Sequence, residues 1–115
     1  MAGTAATVFA VPEAVGFRDA AATRHAGEAF VDHGPDEVDF DLSGVRASSS
    51  LVVALLLAWL RHARGRGKQV RFLDPPADLR NIIELYGVTE LLPLVGEVGE
   101  KMKEYLGDGS DSDDA

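Results

Sequence analysis

DLSGVRASSSLVVALLLAWL, residues 41–60, decides how this chain is read. It opens on the end of EVDFDL, residues 37–42, where Val38, Phe40 and Leu42 alternate with Glu37, Asp39 and Asp41. A period of two puts the apolar residues on one face and the carboxylates on the other, the pattern of a half-buried strand. After a loop over residues 43–49 the period changes. At about 100° per residue, Leu51, Val52, Val53, Leu55, Leu56, Leu57, Trp59 and Leu60 cover about 200° of a helix surface, twice a minimal core-facing stripe. The spacing predicts a helix over residues 50–66, stopped by Gly65 and Gly67. One sheet buries only part of so wide an arc. Either neighbouring helices cover the rest, or an apolar surface is left for a partner.

Downstream, QVRFL at residues 69–73 reads as a second strand, and Asp74-Pro75-Pro76 as a turn. The second proline suits the first position of a helix that runs to about Tyr86 and is closed by Gly87. Residues 91–95 read as a short strand or extended segment, and residues 97–106 as a last amphipathic helix. Upstream, alanines at 20, 21, 22, 26 and 29 predict a helix over residues 18–32 ended by Gly34-Pro35, with Gly27 counting against it. Residues 7–11 and 14–17 read as two short strands close enough to form a hairpin, and residues 1–6 as a flexible leader. Strand, helix, strand in the middle of the chain implies a right-handed crossover and a parallel pair. With the hairpin this gives an α/β fold: a single domain over residues 7–106 with a mixed sheet of about four or five strands packed by helices. The tail, GDGSDSDDA at residues 107–115, has four aspartates and no base, and is expected to be disordered.

The 115 residues are 46% hydrophobic, enough for one modest core. The apolar run from Leu51 is closed by Arg61, too soon to span a membrane. There is no cysteine and no secretory leader pattern, which suits a cytoplasmic protein. A net charge of −8 argues against a nucleic-acid partner. His25, His33 and His62 have no metal-ligand spacing, Gly65-Arg66-Gly67-Lys68 lacks the residues of a phosphate loop, and no nucleophile is paired with a base. No cofactor, metal or enzymatic activity is expected. Arg61, Arg64, Arg66, Lys68 and Arg71 fall close together; cations at a helix C-terminus complement its dipole, and this cluster also offers the acidic tail an opposite charge.

Ser48, Ser49 and Ser50 stand where the central helix begins, and a serine there can accept a hydrogen bond from a free backbone N–H. A hydroxyl at an exposed strand-to-helix junction also suits phosphorylation or partner contact, since the helix dipole tolerates added negative charge.

On these residues the chain resembles the STAS family, named for sulfate transporters and anti-sigma-factor antagonists. The shared features are the strand ending Asp41-Leu42-Ser43, a loop carrying hydroxyls and the apolar helix from Leu51. The family motif Asp-Ser-Ser/Ala-Gly falls on Ser49, Ser50, Leu51 and Val52, where only the phosphorylatable position, Ser50, matches. A valine in place of the motif glycine is expected to hinder close approach of a partner backbone. From Leu55 to Leu94 the sequence looks like the STAS subunits of Mla phospholipid-trafficking ABC transporters. That resemblance implies a non-enzymatic cytoplasmic subunit that binds the transporter's ATPase. The alternative it implies is an antagonist of an anti-sigma factor, switched by a serine kinase at Ser50. The expected contact surface comprises Ser48, Ser49 and Ser50 with exposed parts of Val52, Leu56 and Trp59.

Overall fold

A computed structural model describes residues 8–46 and 49–96 of the chain. The elements run β1 (Val8–Ala10), α1 (Phe17–His33), β2 (Glu37–Asp41), α2 (Ser50–Gly65), β3 (Gln69–Leu73), α3 (Ala77–Leu85) and β4 (Leu94–Val95). The strands of the described residues form one sheet in the order β1-β2-β3-β4, every pair parallel. The α/β class is as expected, but among the described residues the sheet is all-parallel, not mixed, and forms no early hairpin. Residues 14–16 form no strand, and Phe17 already belongs to α1. The alanine-rich helix is itself the crossover between β1 and β2, so the logic that made β2 and β3 parallel applies one unit earlier. The prolines also shift by one position: Pro76 is the N-cap of α3 and the helix begins at Ala77. The expected leader, last helix and acidic tail lie outside the described residues.

Strands added in sequence by right-handed crossovers send every helix to the same side of the sheet. The strands show it in their burial. In β2, Val38 and Phe40 are buried while Glu37 is exposed and Asp39 and Asp41 are half-buried; in β3, Val70 and Phe72 are buried while Gln69 and Arg71 are exposed. All-parallel sheets are usually covered on both faces and read as continuous apolar runs. Here the central strands put mainly polar residues on the second face, Glu37, Asp39 and Asp41 of β2 and Gln69 and Arg71 of β3. Register places Asp39 beside Arg71, and the Arg71 Nε and Nη2 groups donate to the two Asp39 carboxylate oxygens at 2.9 and 3.0 Å. The same pairing raises the pKa of Arg71 above its ordinary value, chiefly through these hydrogen bonds.

On the helical face, register aligns Phe9, Phe40, Phe72 and Leu94 in one row across the sheet. Trp59 of α2 stacks on Phe40 with ring centroids 4.7 Å apart, and Phe9 meets the indole edge-on at 5.8 Å. The indole N–H donates to the Arg24 carbonyl of α1 at 2.9 Å. Gly27 makes this approach possible: a β-carbon there would stand 2.3 Å from the indole. The residue that counted against the helix is therefore what lets α1 close onto α2.

The two helices are also tied at the far end. Lys68, in the turn before β3, donates from Nζ to the carbonyls of Val31, Asp32 and Gly34 at 2.7, 3.2 and 2.9 Å, satisfying the end of α1. Asp32 accepts from His62 at 2.9 Å and pairs with Arg66. The His62 hydrogen bond and the Arg66 guanidinium hold the Asp32 carboxyl below its ordinary value.

Candidate functional site

Each helix here runs antiparallel to the strands, so the start of α2 lies at the carboxyl ends of β1, β2 and β3. In open α/β sheets that end is where ligands and partners are usually met. Three short connections shape it. Val11 N–H donates to the Asp41 carbonyl and Leu42 N–H to the Leu73 carbonyl, at 3.0 and 2.9 Å, so the exits of the three strands are held level. Asp41 then turns the chain by accepting the Ser43 N–H at 2.9 Å, and buried Leu42 and Val45 pin both sides of the turn. Arg46 N–H donates to the Glu13 carbonyl at 2.9 Å, and the two side chains form a loose exposed pair at 3.7 Å.

The loop Ser43–Gly44–Val45–Arg46 thus forms one wall of an open groove of about 380 Å³, with Glu13 on one side and Pro76 and Asp78 of the α3 start on the other. Glu13, Arg46 and Asp78 were not among the residues singled out from sequence. Lone charges in loops have no periodicity, and only the sheet topology brings these three connections together. Phe17, the first residue of α1, is 89% exposed, whereas the other four phenylalanines lie in or against the core.

Ser49 is the N-cap residue of α2, half-buried, with extended backbone (φ −155°, ψ 171°). Its carbonyl accepts from Val52 and Val53 at 3.1 and 3.2 Å, but its hydroxyl makes no capping bond. Ser50 is the first helical residue and is exposed. The expectation of a serine side-chain cap is therefore not met at Ser49, and Ser48 lies outside the described residues. Both described serines stand at the end of the domain, with the Ser50 hydroxyl free of a structural duty at the cap.

The apolar members of the expected surface are elsewhere. Val52 is 1% exposed, and Leu56 and Trp59 are 0% exposed. They face inward because α2 is the middle of the three described helices on one face: the sheet lies beneath it, α1 and α3 on its flanks, and together they cover the wide arc. Val52 in place of the motif glycine therefore fills the core and does not obstruct a partner. What α2 shows to solvent is the stripe Ser50, Ala54, Arg61 and Arg64.

The basic cluster also divides. Lys68 serves the end of α1 and not that of α2; Arg66 pairs with Asp32 and Arg71 with Asp39. Among the described residues, no group of three or more His, Asp or Glu could hold a metal ion, and no helix is long and apolar enough to cross a membrane.

The family model described as "Mlab, STAS domain" matches residues 2–95. No curated protein matches the chain. A crystal structure from Thermotoga maritima, of a protein described as a candidate anti-sigma factor antagonist, superposes with a TM-score of 0.66 at 15% identity, covering 85% of this chain and 86% of that one. At that identity the likeness is one of fold, while the family model covers both flanks of the Ser49–Ser50 junction and all the described strands. The chain belongs to the STAS domain family.

Proposed function

We propose that this protein is a non-enzymatic binding module that docks on a partner protein through the end of the domain where α2 begins. The observation that carries the reading is Ser50: an exposed hydroxyl on the first residue of the central helix, free of a capping bond, at the carboxyl ends of the parallel strands. STAS domains act through protein contacts, and this end offers Ser49, Ser50 and the groove formed by Arg46, Glu13 and Asp78. The partner in this reading is the cytoplasmic ATPase of an Mla-type phospholipid-trafficking ABC transporter, which the resemblance of residues 55–94 supports. Val52, Leu56 and Trp59 anchor α2 in the core and take no part in the contact.

A second partner class rests on the same serine. The Thermotoga structure is described as a candidate anti-sigma factor antagonist, and an exposed Ser50 is open to a serine kinase of that system. Phosphate would add about −1.5 to −2 charges at a helix N-terminus that tolerates them, changing the docking surface without unfolding the domain.

Co-purification separates the two. The tagged protein should retain the transporter ATPase, and Ser50→Glu should weaken retention while leaving the melting temperature within a few degrees of wild type, because the side chain is exposed and anions are favoured in the first turn. Retention of an anti-sigma factor with serine-kinase activity, and loss of that retention on phosphorylation of Ser50, would select the second partner. If Ser50→Glu and Arg46→Glu both keep the natural partner at wild-type yield, this end of the domain is not the interface.

A further inference from the structure

Of the five cations between residues 61 and 71, three are occupied within the domain: Lys68 on the α1 carbonyls, Arg66 on Asp32 and Arg71 on Asp39. Two are left over. Among the described residues Arg61 and Arg64 are exposed and have no ion pair. They are three residues apart, so they share one flank of α2. Arg61 also lines a shallow cleft of about 270 Å³ between α1 and α2, walled by Arg24, Glu28 and His62 with Ala58 as its small floor. Arg24 is partly neutralised by Glu28 at 3.2 Å. The result is a basic stripe on a protein whose net charge is −8.

We propose that the acidic tail of the same chain occupies this stripe, its aspartates at 108, 111, 113 and 114 pairing with Arg61 and Arg64. The tail carries four of the protein's negative charges and no base, so its sign is complementary to the stripe and opposed to most of the remaining surface. It is also near enough. Gly96 follows β4 at the carboxyl ends of the strands, and the ~15 residues from there to Asp111 span up to about 50 Å when extended, enough to pass the length of α2. α2 itself is 16 residues, about 24 Å, long. Tethering raises the local concentration of the tail to roughly the millimolar range, so an acidic peptide or other polyanion in solution must compete with an occupant already attached. Occupancy built on exposed charges is reversible and salt-sensitive. Such occupancy does not hold the fold together.

The chain supplies its own probe. Trp59 is the sole tryptophan, there is no cysteine, and the indole donates to the Arg24 carbonyl beside the cleft. A Ser112→Cys variant of the full chain, labelled with a tryptophan-quenching acceptor, reports the distance from tail to stripe. Transfer from Trp59 should be high at low ionic strength and fall by roughly half or more in about 1 M NaCl, where the screening length is about 3 Å. Arg61→Glu with Arg64→Glu should give the high-salt value at low salt, and the milder Arg61→Gln with Arg64→Gln an intermediate one. Arg18→Glu, at the opposite end of α1, should change nothing. Equal transfer at low and high salt would overturn the proposal. So would a salt-dependent signal that survives both arginine pairs, since the tail would then rest elsewhere.

Discussion

Replacing Gly27 with alanine puts a methyl group where the indole of Trp59 already sits. The added carbon would lie 2.3 Å from both Cε2 and Nε1 and 2.8 Å from Cζ2, against the roughly 3.5–4.0 Å at which carbon atoms rest in contact. The ring has no room to withdraw. It is fully buried, stacked on Phe40 at 4.7 Å, met by Phe9 at 5.8 Å and tied by its N–H to the Arg24 carbonyl. Two effects oppose each other. Alanine gains about 1 kcal/mol over glycine in a helix interior. Overpacking costs about 1–3 kcal/mol, and losing the indole hydrogen bond as the helices part costs about 0.5–1.5 kcal/mol more. The clash wins by about 0.5–3.5 kcal/mol, which for a domain of this size lowers Tm by about 2 °C to more than 15 °C, at about 4–8 °C per kcal/mol. Thermal unfolding followed by circular dichroism and by Trp59 emission measures both the loss and the disturbed ring. Gly65→Ala, where a β-carbon meets nothing within 4 Å, is the control and should be close to neutral. A Gly27→Ala protein that melts at or above wild type with unchanged emission would refute the close-approach argument.

Leu56→Ala should destabilise by about 2–5 kcal/mol because the side chain is fully buried, whereas Leu57→Ala, half-buried, should cost clearly less; chemical denaturation of the pair tests which face of α2 is core. Lys68→Met leaves the carbonyls at the end of α1 without their charged donor and should cost about 1.5–3 kcal/mol, with hydrogen exchange rising first around Val31 and Gly34. Asp32→Asn tests the tie to His62 and Arg66. Because the folded-state pKa of Asp32 is lowered from 3.8, its stabilisation is present above that value and is lost as pH falls through the lower folded value. The wild type should therefore melt above Asp32→Asn near neutral pH, and the two curves should converge in acid below about pH 3.8; a constant gap across that range would contradict the sign.

Periodic segments were legible in the sequence because periodicity is what packing on one face demands. EVDFD and QVRFL alternate since the helices cover only one face of these central strands, and they lie where the alternation put them. α2 was equally clear in extent, but not in what covers it: a 200° arc has the same sequence whether two helices or a partner lies alongside. That choice depends on α1 being a crossover helix, which the supposed hairpin concealed. The three-residue β1 is too short for alternation to show direction, and a parallel mate is indistinguishable from an antiparallel one in so few residues. The cluster from Arg61 to Arg71 misled in a different way. Cations after a helix suggest a role at that helix, yet Lys68 reaches the end of its neighbour, a contact 34 to 37 residues away in sequence. Within the site, Ser50 was visible through the motif, whereas Glu13, Arg46 and Asp78 meet only because three separate connections end at one edge of the sheet.

The sequential strand order bears on how the chain leaves the ribosome. In many parallel sheets a late strand must insert beside an early one, and the early one waits unpaired until it arrives. Here β2 joins β1, β3 joins β2 and β4 joins β3, so each new strand adds to an edge that is already present. The nascent chain can consolidate one strand–helix unit at a time, with loop closures no longer than a single crossover. Among the described residues the edge strands are short as well, three residues of β1 and two of β4. Edge segments of that length give another chain little backbone on which to pair.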